Sequence, residues 1–467
     1  MDKLVASPAA AIADLQDGAT IVLGGFGQQF NWPVDLIRAV RAKGTRELTV
    51  VSAGVGSTTE IAGGQHLVES RQVKKIIASF TLRTGIRTPS EEQIMAGELE
   101  AELVPQGMLV ERARAGGAGI PAFYSPAGAG TAIAAGKEVR HFDGRPYVLE
   151  QAISADFALV RAWRADRAGN LAFRGTTRNM NVAFAKCARI TIAEVDEIVE
   201  TGELAPADVH LPGIFVTRVI RTTQSVSEVA PRPSGRRTAD VARQYLGKPG
   251  LTRAGIARRA AALIREGSIV NLGSGIPEQV SNFLQGRDVL LHAENGMLGY
   301  GAILTGDAID PRVANAGAAF VSTVPGASFF DSVTSFEMGR GGHLDAVVLG
   351  AYEVDEQANL ANWTFAEPLI PNLGGVGGAM DLVAGQAPLI VVMEHHDSKG
   401  RHKLRRQCSL PLTGRHCVHW IVTDLALLRW DGQSFVLEET APGFTPEEVA
   451  ALTEMRFGVV ASPGVMA

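Results

Sequence analysis

The sequence predicts an α/β protein built of two related, open, mostly parallel sheets, with an active site in the cleft between them. Three observations predict it. Apolar runs that end in Gly-rich turns alternate with amphipathic stretches, the pattern of strand, turn, helix, strand. The pattern fades near Arg221 and restarts after Thr252. The restarted half then repeats the landmarks of the first in the same order.

The first unit is Asp17-Gly18-Ala19-Thr20-Ile21-Val22-Leu23-Gly24-Gly25-Phe26-Gly27, a strand ending in a Gly-rich turn. A helix begins near Asn31-Trp32-Pro33, because Pro suits a first turn and Leu36, Ile37 and Val40 share a face. A second strand spans Leu48 to Val51 and ends in Ser52-Ala53-Gly54-Val55-Gly56; Lys74 to Phe80 reads as a third. Leu103-Val104-Pro105-Gln106-Gly107 leads into an amphipathic helix. Asp156 to Val160 and Ile190 to Ala193 are further strands, and the half closes around Leu211 to Val216.

From about Arg221 to Thr252, Ser, Thr, Pro and Arg dominate, as an exposed linker requires. The domains are therefore expected at 1–220 and 253–467, with a linker at 221–252. After it, a helix spans about Thr252 to Glu266 with Ile256, Ala260, Leu263 and Ile264 on one face. Gly267 to Pro277 then echoes Gly18 to Pro33: strand, paired glycines, Pro, helix. Asp345 to Leu349, followed by Ala358-Asn359-Leu360, echoes Asp156 to Val160, followed by Gly169-Asn170-Leu171. Leu389 to Glu394 echoes Ile190 to Glu194.

At 467 residues the chain is too long for one ordinary core. A net charge of −5 gives no reason to expect nucleic acid or an anionic membrane as partner. No unbroken apolar run is long enough to span a membrane, and the start of the chain has no secretion-signal pattern. Cys187, Cys408 and Cys417 cannot form a disulfide framework, which fits buried free thiols and a reducing cytoplasm.

The stretch around which the rest is organised is Val289 to Gly296. An apolar strand ends at Glu294, and Asn295-Gly296 turns the chain sharply. Ligands gather at the carboxyl ends of parallel strands, so Glu294 is the candidate catalytic carboxylate, beside a turn that admits a substrate. A helix cap or an exposed turn acid is the competing reading. Gly374-Gly375-Val376-Gly377-Gly378-Ala379 offers bare backbone N–H groups to an oxyanion, a phosphate or a carbonyl oxygen, or else forms a packing turn. Gly375, Gly377, Asn295 and Gly296 are candidates for CoA contact. Phe26, Gln28, Gln29, Phe30 and Trp32 stand at the mouth of the first Gly-rich turn and are candidates for an acyl pocket.

No Gly run has the spacing of a dinucleotide fingerprint, a phosphate-binding Gly-Lys-Ser/Thr loop or a nucleophile elbow. His395, His396, Asp397 and His402 could hold a metal, but a solvent-exposed loop is the preferred reading. What remains is a carboxylate nucleophile: a Glu that attacks an acyl-CoA and passes through an anhydride to a glutamyl-CoA thioester. That chemistry needs no metal and no cofactor, since CoA is itself a substrate.

Ala293-Glu294-Asn295-Gly296, joined to Gly375 to Leu382, resembles the family I coenzyme A transferases with both subunits fused. The likeness covers nearly the whole chain. It includes Leu103 to Gly107, Gly116-Gly117-Ala118-Gly119-Ile120-Pro121-Ala122-Phe123-Tyr124, Leu360-Ala361-Asn362-Trp363 and Leu410-Pro411-Leu412-Thr413-Gly414. The resemblance implies a ping-pong transfer of CoA to a 3-oxoacid or other short-chain acid, a part in ketone body metabolism, and a homodimer. It implies Glu294 as nucleophile, with Gln106 and Asn271 as polar positioners and Gly378 and Ala379 as backbone donors at the thioester. Three stretches depart from the family pattern: Gln28 to Trp32 is bulkier, Ala318 stands where the succinyl-CoA members typically carry Lys, and Ala293 replaces a usual Ser. An acyl-CoA hydrolase using the same Glu and a non-catalytic ligand sensor are the alternatives; the sensor would dispense with Glu294.

Overall fold

The computed structural model describes residues 2–26, 31–54, 63–82, 87–224, 240–365 and 370–466. The main sheet of the first half runs in the spatial order Arg218–Arg221, Ala188–Val199, Ala155–Asp166, Thr20–Leu23, Leu48–Gly54, Val73–Phe80, Glu100–Leu103, with parallel neighbours throughout. Its strands read as continuous apolar runs because both faces are covered. Ile21 and Leu23 point into one core with Leu36, Ile37 and Val40 of the helix Val34–Lys43. Val22, between them, points to the opposite face and joins Met108 and Leu109 of the helix Gln106–Gly117. That second core also takes in Phe320, Val333 and Phe336, which come from the other half of the chain.

The second half repeats this plan. Val418–Val422, Leu389–Val392, Ala346–Leu349, Ser268–Leu272 and Val289–Ala293 lie side by side and parallel. Strand for strand they match the first sheet from Arg218–Arg221 to Leu48–Gly54, so the repeat in the sequence is a repeat of topology. In each half the chain first winds to one side of its opening strand and later returns to the other. The switch falls between Thr20–Leu23 and Ala155–Asp166 in one sheet, and between Ser268–Leu272 and Ala346–Leu349 in the other. Ligand crevices form at such points.

Two departures from the expected parallel plan stand out. Met297–Ile303 and Val321–Phe329 add an antiparallel edge next to Val289–Ala293. Ala426–Trp430 and Phe435–Thr440 add antiparallel strands at the far edge, where Gly458–Val465 pairs last. The expected linker is also partly folded. Gln244–Tyr245 and Lys248–Pro249 form a short hairpin, the Tyr245 hydroxyl donates to Asp424 Oδ2 at 2.8 Å, and Leu251 N–H donates to Asp424 O at 2.8 Å. Arg243 adds bonds to His396 O, Asp397 O and Glu394, so an aromatic anchor and an arginine bind this polar stretch to the second half, and composition alone conceals that.

Candidate active site

Glu294 follows the strand Val289–Ala293 directly. Asn295-Gly296 then reverses the chain into Met297–Ile303. Gly296 has φ +115°, and a Cβ there would lie 2.1 Å from Phe330 O, so the turn accepts only glycine. The turn leaves the Glu294 side chain at the carboxyl end of its strand, where it lines a cavity of about 350 Å³. The cavity opens at the switch point of the second sheet. Asn271 and Gly273 come from the end of one central strand, Leu349 and Gly350 from the end of its neighbour. The first half supplies the opposite wall with Phe26, Phe80 and Gln106.

The glycine run is sewn to that wall. Val376 N–H donates to Ser79 O at 2.9 Å, Thr81 N–H to Gly374 O at 3.0 Å, and Gln106 N–H to Gly377 O at 2.8 Å. A Cβ on Gly375 would sit 2.8 Å from the Phe80 ring, and Gly377 has φ +53°. A Cβ on Gly378 would sit 2.8 Å from Phe336 and 3.5 Å from Glu294 Oε1, so bare backbone faces the carboxylate. No hydrogen bond to a described residue uses the N–H of Gly378 or Ala379. Below the run, Gly107 N–H donates to the buried Asp381 Oδ2 at 2.8 Å, and Arg340 pairs with Asp381 at 3.2 Å and with Glu111 at 3.2 Å. This network ties both halves together beneath the cavity floor.

Burial raises the pKa of Glu294 above the ordinary carboxylate value, and a hydrogen bond from Asn271 Nδ2 to Oε2, 3.2 Å long, works in the opposite direction. No cation pairs with Glu294 among the described residues. The nearby Tyr300 is buried, and burial pushes its hydroxyl pKa up, so it stays protonated. His292 is also buried, which pushes it down to about 4 and keeps it neutral.

The structure brings together Glu294, Asn271, Gln106, Gly375, Gly377, Gly378, Ala379 and Phe26 around one cavity. It does not bring Trp32, Asn295 or Gly296 there. Trp32 is 1% exposed and packs in the outer core beside Leu36 and Ile37, because the chain enters the helix Val34–Lys43 with that side chain turned inward. Asn295 is buried and its amide donates to Ala314 O at 2.8 Å, away from the cavity. Gly296 serves the turn. Gln28, Gln29 and Phe30 lie outside the described residues. The histidine cluster is not a solvent-exposed loop throughout: His395 is buried between the hydroxyls of Thr423 and Thr453, at 3.0 and 2.9 Å. Among the described residues no group of side chains is set to hold a metal ion. His292, Ser335 and Phe80 were not legible as site residues. His292 had a signal, since it stands two residues before Glu294 on a strand and shares its side.

Comparison with known proteins shows the family. The family model described as Coenzyme A transferase matches residues 5–222 and 254–452. The chain belongs to the coenzyme A transferase family. This CoA transferase is 42% identical over 480 residues to the human mitochondrial succinyl-CoA:3-ketoacid coenzyme A transferase 2, covering 98% of this chain and 90% of the relative. Against the mouse mitochondrial protein 2A it is 40% identical over 475 residues, covering 97% and 89%. One separate subunit of the probable Bacillus subtilis enzyme of that name is 49% identical over 220 residues, 47% of this chain and 90% of the relative. Among solved structures, the apoenzyme of an acyl-CoA transferase from Escherichia coli O157:H7 superposes with a TM-score of 0.82 at 21% identity, covering 100% of this chain and 95% of the other, and so shares the fold. The full-length mammalian relatives are named as mitochondrial, which overturns the expectation of a cytoplasmic location.

Proposed function

We propose that this CoA transferase moves CoA from an acyl-CoA to a 3-oxoacid or other short-chain carboxylic acid through a glutamyl-CoA thioester on Glu294. The observation that carries the reading is the setting of Glu294: a carboxylate without a cation partner among the described residues, facing bare glycine backbone in a cavity walled by both halves. The names of the full-length relatives specify succinyl-CoA and a 3-ketoacid, which supports a 3-oxoacid as acceptor.

In this reading a Glu294 oxygen attacks the thioester carbonyl, and the Gly378 and Ala379 N–H groups receive the oxyanion. The carbonyl reforms, the C–S bond breaks, and CoA leaves as thiolate from an acyl-glutamyl anhydride. The thiolate attacks the Glu294 carbonyl, which releases the first acid as carboxylate and leaves the glutamyl thioester. The second acid runs the steps in reverse. CoA is a substrate throughout, and no resident cofactor is required. Asn271 and Gln106 position the reacting groups.

Borohydride reduction of enzyme loaded with acyl-CoA in the absence of acceptor tests this. Peptide mass spectrometry is expected to find Glu294 reduced to the alcohol; a label on any other residue refutes the assignment.

The two-domain division at 1–220 and 253–467, and the homodimer that the resemblance implies, belong to the same reading. The Bacillus relative is a separate polypeptide that matches only 47% of this chain, which supports the division. The stretches 1–224 and 240–467, co-expressed as two chains, are expected to co-purify and exchange acyl groups. Halves that fold but do not associate would rule the division out as a functional one. Light scattering that finds a single chain in solution would rule out the homodimer.

A further inference from the structure

Asn271 Nδ2 has three close neighbours: His292 Nδ1 at 3.0 Å, His292 O at 3.3 Å and Glu294 Oε2 at 3.2 Å. Two of these, a backbone carbonyl and a carboxylate, can only accept. The amide must therefore present its N–H groups to them, and the reverse orientation would set its oxygen against both. The third neighbour must then accept as well, so Nδ1 of His292 carries no proton. The ring proton lies on Nε2, which donates to Ser335 Oγ at 2.9 Å. The Ser335 hydroxyl, its oxygen occupied, donates in turn to Ala293 O at 3.3 Å. The two Nδ2 hydrogens of Asn271 are shared among three acceptors, while His292 Nε2 and the Ser335 hydroxyl have one each, and all of it is buried: Asn271, His292 and Ser335 each show 0% exposure. The Phe330 ring lies parallel to the imidazole with centroids 6.4 Å apart and helps fix its plane.

We propose that His292 and Ser335 are positioning residues, which hold the Asn271 amide with an N–H directed at the reacting oxygen of Glu294. The inference rests on the reading of Glu294 as the nucleophile. Neither residue reaches the substrate; both act through Asn271. The bond they aim favours the ionised carboxylate against the burial that opposes it. Loosening it raises the Glu294 pKa, so the ionised nucleophile is lost at a higher pH as the solution is acidified. Tyr300, the further titratable group set against Glu294 among the described residues, stays protonated and contributes no charge of its own. The neutral His292 contributes none either.

The test uses the full chain with Ser335→Ala, His292→Leu and His292→Gln, and follows borohydride-trapped thioester at Glu294 against time and pH. Ser335→Ala and His292→Leu are expected to slow thioester formation by about 10–100-fold, the scale of a misaimed reacting group. KM for acyl-CoA should stay within about twofold, since uniform binding is untouched. The acid limb of kcat/KM should move to higher pH. His292→Gln keeps one acceptor and one donor in the same place and is expected to recover most of the rate. Wild-type rates and an unmoved acid limb in Ser335→Ala, with Glu294 labelled normally in the parent, would overturn this inference alone. No label at Glu294 in the parent would overturn it together with the proposed mechanism. If His292→Leu does not fold, Ser335→Ala, which removes one oxygen, decides the matter.

Discussion

Replacing Glu294 with Ala is expected to lower acyl exchange by roughly 10⁴-fold or more while the protein stays folded and still binds CoA. The size follows from removing a nucleophile whose partners have nothing else to activate. The selectivity follows from its surroundings. No cation depends on Glu294 among the described residues, so the substitution strands no buried charge. Asn271 Nδ2, which donates to it, keeps His292 Nδ1 and His292 O as acceptors. Thermal stability should therefore hold or rise slightly, because a carboxylate whose ionisation burial opposes has been removed. Exchange assays beside melting curves and CoA titration check all three parts. Exchange within tenfold of the parent would end the covalent mechanism proposed for this residue.

The second large effect is expected of Gly107→Ala. A Cβ at this position would lie 2.3 Å from Asp381 Oδ1 and 2.6 Å from Arg340 Nη1. Neither atom can yield freely, since Asp381 is fully buried and Arg340 also holds Glu111 across the junction. The methyl group would push Asp381 off both Arg340 and the Gly107 N–H. Breaking a buried, hydrogen-bonded pair costs about 3–5 kcal/mol. Activity should fall as well, because Gln106 precedes Gly107 and the short helix Ala379–Val383 carries Asp381. Denaturant unfolding and exchange rates measure the two losses. A variant as stable as the parent would mean that the network does not clamp the halves.

Much of this was legible in the sequence for a physical reason. The central strands are apolar throughout because both faces are buried, and their Gly-rich ends mark the close approaches that line the cavity. Glu294 stood out because it closes an apolar strand just before Asn295-Gly296, and the glycine run at Gly374 to Ala379 reinforced it against the reading as a turn acid. The antiparallel edge Met297–Ile303 was hidden, since Gly299 and Gly301 interrupt the apolar pattern of a strand although they serve close strand contacts; a Cβ at Gly299 would lie 2.9 Å from Ala327 Cα. Trp32 misled for a related reason. It stands one residue before Pro33 at the mouth of a Gly-rich turn, but only the backbone direction into the following helix decides whether its ring faces the cavity or the core. In the chain from Asn271 through His292 to Ser335 the ends stand 64 positions apart in the sequence, and no local pattern links them.

The setting of Glu294 has a consequence for the order in which the enzyme rests and works. In the free enzyme burial disfavours the ionised form of Glu294, and the neutral amide of Asn271 favours it. In the proposed mechanism both covalent states, the anhydride and the thioester, are uncharged at this position. Acylation therefore removes from this position a charge that burial disfavours. Part of what drives the first half of the turnover is already present in the resting site, and the second half restores it when the carboxylate re-forms and the new acyl-CoA departs. On this view the waiting form of the enzyme between its two substrates is the loaded one, with CoA parked on the protein until an acid arrives.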